Sequence, residues 1–122
     1  MEQLSDNFNR REFACKGSSC CGGSAPVDSK LVEALQELRD LAGEPIMITS
    51  GFRCLAHNST IRGASQTSQH TVGRAADIVC GSLSPRELME LAEKVKWFKN
   101  GGIGLYRTFL HVDVRPNGPA RW

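Results

Sequence analysis

The chain has 122 residues and a formal net charge of +2, which leaves room for one domain with a modest core. Hydrophobic residues make up 40% of it and charged residues 23%, as in ordinary globular proteins. The small charge, without a basic stripe or stacking aromatic residues, argues against nucleic acid as a partner. No apolar run approaches the length of a membrane span. We therefore expect residues 1–122 to form a single domain, and we expect a monomer.

The first half of the chain predicts a short segment, a loop, a helix and a strand. Residues 8–15 are expected to pack on the core, and the Gly/Ser-rich residues 16–25 form a loop. A helix is predicted over 28–42, because leucines recur there at helical spacing. Asp28 is its expected N-cap and Gly43 its stop. The leucines are Leu31, Leu35, Leu38 and Leu41, the last interchangeable with Ala42 as a core position. A strand over 46–50 follows.

The second half begins with a long irregular segment, 55–74, of a kind that is usually functional or disordered. A strand is predicted over 75–79. Ser84, Pro85 and Glu87 then have the spacing of a helix start, and the helix is expected to continue through Val95. Two further apolar segments, 103–106 and 109–115, complete the chain. Short strands and helices without a βαβ rhythm predict an α+β fold around a mostly antiparallel sheet.

The five cysteines do not predict a simple disulfide framework, because their number is odd. Free thiols are the first interpretation. The alternative is a structural zinc site or a disulfide that ties the N-terminal loop, with Cys15, Cys20 and Cys21, to the loop with Cys54. His57 follows Cys54 at Cys-x2-His spacing.

The last predicted strand carries three polar side chains on one face. Period two places Leu110, Val112 and Val114 on the core side. His111, Asp113 and Arg115 therefore share the other face, which we expect to border solvent or a cleft.

Two histidines with nearby carboxylates predict a metal site. His70 lies seven residues before Asp77, and His111 follows on the last strand. Two imidazoles and a carboxylate are the ligand set of a catalytic zinc with one open position. The alternative for Asp77 is a salt bridge to Arg53, Arg74 or Arg115, because a half-buried carboxylate needs a partner. The alternative for each histidine is a hydrogen-bonded core residue.

These motifs together resemble a known family. Residues 68–78 read Ser-Gln-His-x3-Arg-Ala-Ala-Asp-Ile, after Ile-Thr-Ser-Gly-Phe-Arg-Cys and before Leu-His-Val-Asp-Val-Arg. Over nearly the whole chain, from Phe13 to Trp122, the sequence resembles the zinc D-Ala-D-Ala carboxypeptidase family. That family includes phage endolysins and shares its fold with the amino-terminal domain of hedgehog.

The resemblance implies roles for individual residues. The zinc ligands would be His70, Asp77 and His111. Arg53 would bind a substrate carboxylate or carbonyl, which a planar guanidinium suits; a structural ion pair is its alternative role. Ser68, Tyr106 and Arg115 are further candidates for substrate contact, whereas Trp97 and Trp122 are expected to be packing residues.

The general base is the position where the chain departs from the family pattern. Many relatives carry an acid three residues before the last histidine, and Thr108 occupies that position here. A threonine cannot serve as the base. We predict Asp113 as the base or, failing that, as a residue that orients a zinc ligand.

The resemblance implies hydrolysis of peptidoglycan stem peptides or cross-links by a zinc peptidase, and the open loops favour an endopeptidase slightly. A non-catalytic zinc-containing wall-binding module and a cytoplasmic D-Ala-D-Ala dipeptidase are the alternatives. No signal peptide is visible in residues 1–6. We therefore expect synthesis in the cytoplasm and action on the wall after release, as in phage or prophage lysis.

Overall fold

The computed structural model describes residues 3–17, 21–22, 25–61 and 68–122. Its helices are α1 (Ser29–Ala42), α2 (Leu55–Asn58), α3 (Pro85–Ala92) and α4 (Lys96–Lys99), and single 3₁₀ turns cover Arg10–Phe13 and Gln69–Val72. The strands are β1 (Ile46–Ser50), β2 (Ala75–Cys80), β3 (Gly102–Leu105), β4 (Leu110–Asp113) and β5 (Ala120–Arg121). They form one sheet in the order β1-β2-β4-β3-β5. Only the β3–β5 pair is parallel, so the predicted α+β fold with a mostly antiparallel sheet is confirmed.

Sheet register brings the predicted site residues onto neighbouring strands. Asp77 on β2 pairs with His111 on β4, and His111 pairs on its other side with Gly104 on β3. Paired residues in adjacent strands project to the same face of a sheet. His111 therefore has a carboxylate on one side and a position without a side chain on the other.

Helix α1 packs against α3 and α4, and its predicted boundaries are confirmed. The Asp28 side chain accepts a hydrogen bond from the backbone N–H of Lys30 at 2.8 Å. Gly43 ends the helix in the left-handed conformation, with φ of 70°. The leucines at 31, 35 and 38 are fully buried, whereas Leu41 is exposed and Ala42 packs on the core in its place.

Helix α3 starts as predicted but ends earlier. Ser84 and Glu87 form a reciprocal capping box, with bonds of 3.1 and 2.9 Å. The prediction that the helix continues through Val95 is wrong, because it ends at Ala92 and the chain is extended at Val95. The break lets both Val95 and Phe98 reach the core, where both are fully buried.

The two ends of the chain close the fold. Phe8 and Phe13 are buried in the core, as predicted for residues 8–15. The predicted last strand is shorter than expected, and β5 beyond it was not predicted because two residues carry no periodicity. Backbone bonds hold β5 and Trp122 against β3, including Leu105 N–H to the Trp122 carbonyl at 2.8 Å. Among the described residues, no helix is long and apolar enough to cross a membrane.

Candidate metal centre

His70 sits in the 3₁₀ turn near the end of the segment 55–74, just before β2, and it is 1% exposed. Its Nδ1 lies 2.7 Å from the carbonyl oxygen of Gly51. Because a carbonyl only accepts, Nδ1 carries the proton, and in the neutral ring Nε2 keeps its lone pair. That Nε2 lies 3.1 Å from Oδ1 of Asp77.

Gly73 ends this turn and determines how the chain enters β2. Its φ of 71° is in the left-handed region, and an added Cβ would lie 2.6 Å from the carbonyl oxygen of Pro26. Only glycine combines this conformation with that close approach. The Ser68 hydroxyl caps the other end of the turn and accepts from the N–H of His70 at 3.2 Å.

His111 faces the Asp77 carboxylate with Nδ1, whereas His70 faces it with Nε2. The Nε2 of His111 lies 2.8 Å from Oδ2 of Asp113, and its Nδ1 lies 3.0 Å from Oδ1 of Asp77. Burial raises the pKa of Asp113. The hydrogen bonds from Arg115 and His111 outweigh burial, so the pKa of this carboxyl is far below its usual range. An ionised Asp113 accepts from the Nε2–H of His111, which in the neutral ring leaves the Nδ1 lone pair toward Asp77.

One ring nitrogen of each histidine and one carboxylate oxygen converge. One ligand atom from each of His70, Asp77 and His111 lies within 4.8 Å of the other two. Burial raises the pKa of Asp77, but the hydrogen bonds and charges of the His111 and His70 rings in their protonated forms outweigh it and lower the pKa to about 2. The carboxylate is therefore ionised at neutral pH, as a metal ligand must be.

In the metal-free protein, His111 also holds a proton more tightly than usual. Burial disfavours the charged ring, but hydrogen bonds to Asp113 and Asp77 prevail and raise the pKa of His111. A cation bound at the three ligands would take the place of that proton.

The alternative prediction, that Asp77 forms a salt bridge with Arg74 or Arg115, is wrong. Arg74 pairs with Asp28, Nε to Oδ2 at 3.6 Å, and Arg115 pairs with Asp113, Nη2 to Oδ2 at 2.7 Å. Arg53 donates to the Ser68 hydroxyl, Nη2 to Oγ at 3.5 Å. Within the described part of the chain, the two histidines are the hydrogen-bonding partners of the Asp77 carboxylate.

Asp113 is fully buried, so its part of the polar face does not border a cleft. Its Oδ1 accepts from the N–H of Gly102 at 2.8 Å and from Nε of Arg115 at 2.9 Å. Its Oδ2 accepts from Arg115 and His111. Gly102 makes this fit, because an added Cβ would lie 2.3 Å from Oδ2. This arrangement favours the second sequence interpretation, a residue that orients His111, over a general base.

Arg53 lies beside the centre, and part of its guanidinium makes no hydrogen bond with the described residues. Its Nε is buried and has no hydrogen-bond partner among the described residues. Burial lowers the pKa of Arg53, while the negative charge of Asp77 opposes that shift. Its backbone N–H donates to the His70 carbonyl at 3.0 Å, which joins this segment to the turn that carries His70.

Comparison with known proteins identifies the family. A protein-family model described as Peptidase M15 matches residues 6–113. The chain belongs to the Peptidase M15 family. This confirms the predicted resemblance to zinc D-Ala-D-Ala carboxypeptidases and makes the chain a metallopeptidase by family, one whose members use zinc. No curated protein matches significantly.

In this M15 peptidase, Trp122 forms a wall of the site that the sequence did not predict. Its ring centroid lies 4.9 Å from that of His111, and Arg115 lies over the same indole at 5.2 Å. An added Cβ on Gly104 would lie 2.5 Å from the indole. Trp122 was expected to be a packing residue, but it is exposed, and its place beside His111 depends on the pairing of β5 with β3. Trp97 packs on the core, as predicted.

Tyr106 stands at the exposed rim of the same wall. It is 42% exposed and stacks on Phe109, with ring centroids 4.5 Å apart. Its hydroxyl oxygen accepts from Nε1 of Trp122 at 2.8 Å. The Tyr106 proton is therefore still available to donate, as a substrate-binding hydroxyl requires.

A second group of ligand-type side chains lies away from this centre. The sulfurs of Cys15, Cys21 and Cys54 all lie within 4.8 Å of one another. Cys20 lies outside the described residues. The backbone N–H of His57 donates to Cys54 Sγ at 3.4 Å. The structure thus brings the two predicted cysteine loops together.

Proposed function

We propose that this M15 peptidase holds one zinc ion with His70, Asp77 and His111 and hydrolyses amide bonds next to D-amino acids in peptidoglycan stem peptides. The observation that carries the proposal is the convergence of one ring nitrogen from each of the two histidines on one carboxylate oxygen. Two nitrogens and one oxygen suit zinc and leave a position open for water or substrate. Zinc bound there would lower the pKa of a water molecule to about 7 and polarise the scissile carbonyl.

Hydrogen bonds on the far side of each ring hold the two histidines in orientation. His70 donates to the Gly51 carbonyl, and His111 donates to Asp113. Such partners determine which ring nitrogen is free for a metal and hold the ring in place. We propose that Asp113 is a positioning residue, because its oxygens are already occupied by Arg115, Gly102 and His111.

Arg53 and Tyr106 are the proposed substrate-binding residues. Arg53 is half-buried beside Ser68 and the His70 turn, and its planar guanidinium suits a peptide carboxylate or carbonyl. The Tyr106 hydroxyl retains a proton that it can donate to the oxygen of the carbonyl under attack. Ser68 holds Arg53 and the His70 turn together, so we propose that it acts through them.

The substrate class and the place of action rest on the family and on an open site. Both Tyr106 and Trp122 are substantially exposed, which favours a polymeric peptide over a dipeptide enclosed in a pocket. We propose that the protein is a peptidoglycan-degrading enzyme of the endolysin type that reaches the wall after release from the cytoplasm.

A non-catalytic zinc module is the second candidate. The sequestration of Asp113 favours it, because a catalytic carboxylate should reach the open metal position. Thr108, in the place of the acid of many relatives, is exposed and has no acidic group to contribute.

The test is digestion of purified peptidoglycan and of a synthetic stem peptide ending in D-Ala-D-Ala by zinc-loaded protein. Mass spectrometry identifies the products. Free D-Ala would indicate a carboxypeptidase, and a cross-linked fragment cut to give a new amine would indicate an endopeptidase. The controls are His70→Ala and the same peptide ending in L-Ala-L-Ala. Bound zinc with no product from either substrate would reject the enzyme and leave the binding module.

A further inference from the structure

We infer that Cys15, Cys21 and Cys54 form a second, structural zinc site that joins the N-terminal segment to the segment carrying Arg53. The inference stands on the cysteine geometry and does not depend on the proposed activity. These three residues are called the cysteine cluster below.

The sulfur spacing is that of thiolates around one metal ion. With Zn–S bonds of about 2.3 Å, tetrahedral geometry places two sulfurs about 3.8 Å apart. The Sγ atoms of Cys15 and Cys54 are 3.9 Å apart, and Cys21 Sγ lies within 4.8 Å of both. A disulfide would require about 2.05 Å between sulfurs.

The surroundings suit a structural site. Cys15 is 6% exposed, and the other two cysteines of the cluster are half-buried. The N–H of His57 points at Cys54 Sγ, and a donor there stabilises a thiolate. Structural zinc sites are closed by four protein ligands, so we expect one more from the chain. By sequence the candidate is the ring of His57, at Cys-x2-His spacing from Cys54.

The cysteine cluster lies where the N-terminal segment around Phe13 meets the segment that follows β1. The N–H of Phe52 donates to the Phe13 carbonyl at 2.8 Å. An added Cβ on Gly51 would lie 2.6 Å from the Phe13 backbone. Gly51 in turn accepts from His70, and Arg53 directly precedes Cys54. A metal at the cluster would therefore hold in place the backbone that orients His70 and carries Arg53.

Metal content and cobalt spectroscopy of the purified full chain test the inference. Chain purified with zinc is expected to contain about two zinc ions. Cys54→Ser should lose one of them, and His111→Ala should lose the other. Cobalt-substituted wild type should show the near-ultraviolet sulfur-to-cobalt absorption of a tetrahedral thiolate site. His111→Ala should retain that absorption, and Cys54→Ser should lose it.

Cys80→Ser is the matched control. Cys80 is a buried thiol outside the cluster that donates to Glu44 at 3.0 Å, and a serine hydroxyl can do the same. It should leave the zinc content and the cobalt spectrum unchanged. His57→Ala should weaken the thiolate absorption, as expected for loss of the fourth ligand.

The outcomes separate this inference from the proposed function. Thiolate absorption in the His111→Ala protein supports the cysteine site whatever the enzyme does. Wild type that binds cobalt without thiolate absorption would overturn the inference, even if Cys54→Ser fails to fold. A mass two units below that of the reduced chain, with the loss abolished by Cys54→Ser, would also overturn it by showing a disulfide.

Discussion

At the residue scale, the site depends on which ring nitrogen each histidine leaves unprotonated. His70 has its proton on Nδ1 because it faces a carbonyl, and His111 has its proton on Nε2 because it faces Asp113. The histidines therefore offer different nitrogens to the same position beside Asp77. Their roles are set by these partners as much as by their own identity.

Replacing Asp113 with Asn tests its role as a positioning residue. The Asn amide lacks the charge that Arg115 and His111 require. We expect zinc affinity to fall about 10–100-fold, the usual effect of losing a partner of a metal ligand. Unfolding free energy should fall by about 3 kcal/mol, because Arg115 loses its buried partner. Competition with a zinc-binding dye and denaturant titration measure these effects.

The same variant separates positioning from base catalysis. With zinc saturating, Asp113→Asn should retain measurable hydrolysis. Complete loss of activity in a folded, zinc-loaded protein would show that Asp113 is the base. Asp6→Asn, at an exposed position, serves as the control.

Replacing Arg53 with Gln should weaken substrate binding. A hydrogen bond to a charged group contributes about 1.5–3 kcal/mol, so KM should rise about ten- to hundredfold. Zinc content should not change, because Arg53 is not a ligand. Steady-state kinetics on the D-Ala-D-Ala peptide provide the measurement. An unchanged KM would remove Arg53 from the substrate site. Arg107→Gln, at the exposed turn after Tyr106, is the charge-matched control.

At the element scale, the sheet edge formed by β3 and β5 shapes the wall of the site. Gly104 lies beside His111 in register, and the Trp122 indole occupies the space that a side chain would fill. Trp122 reaches that space because β5 runs parallel to β3 and returns the chain to the site. The wall is therefore a property of strand pairing.

Gly104→Ala should displace Trp122 from His111. The added Cβ would lie 2.5 Å from the indole, and the half-exposed ring can swing away. We expect a red-shifted tryptophan emission and a raised KM, with zinc content retained. Gly81→Ala is the control, since its nearest neighbour would lie 3.9 Å away. Unchanged emission in Gly104→Ala would contradict the proposed wall.

Glu44 joins the start of β1 to the end of β2. Its carboxylate accepts from the Ser82 backbone and hydroxyl and from the Cys80 thiol. The side-chain hydrogen bond from Ser82, then those from Cys80 and the Ser82 backbone, lower the pKa of Glu44 from 4.5 to about 2. A carboxyl with a lowered pKa contributes stability that is present above its unfolded value and is lost as the pH falls through the folded value.

The difference in unfolding free energy between wild type and Glu44→Gln should therefore be constant above pH 4.5 and shrink toward pH 2. Denaturant titrations of both proteins across this range measure it. Taking the difference cancels the loss of metal ligands to acid, which both proteins share. A difference independent of pH would show that the carboxylate charge does not matter.

At the scale of the whole molecule, the candidate metal centre joins the segment 70–77 to a strand much later in the sequence. His70 lies in the 3₁₀ turn Gln69–Val72, Asp77 on β2 and His111 on β4. A cation that binds all three stabilises only the folded state. Its stabilising effect grows with free zinc by mass action.

Zinc removal should lower the unfolding free energy by an amount set by the zinc affinity and the free zinc concentration. In the Cys54→Ser background, which isolates the His70–Asp77–His111 centre, zinc at a thousand times its Kd should raise unfolding free energy by about 4 kcal/mol over chelated protein. Adding His70→Ala to that background should abolish the effect. Thermal denaturation with and without chelator provides the measurement. An equal zinc effect in the double variant would show that zinc binds elsewhere.

Much of the architecture was predictable from local signals. The α1 boundaries followed from Asp28 and Gly43, and the start of α3 followed from Ser84 and Glu87. These signals are local because capping bonds join residues two to four apart. The end of α3 was mispredicted because burial of Val95 and Phe98, a tertiary effect, overrides helical spacing.

The sequence by itself determined the chemistry available: two imidazoles, a carboxylate, a guanidinium and a family motif. It also determined, through strand parity, that His111 and Asp113 share a face. Only the tertiary structure decided that Asp113 is enclosed by Gly102 and Arg115, that Trp122 borders His111, and that cysteines from two loops meet. These features depend on strand register and on contacts between distant segments, which local pattern cannot encode.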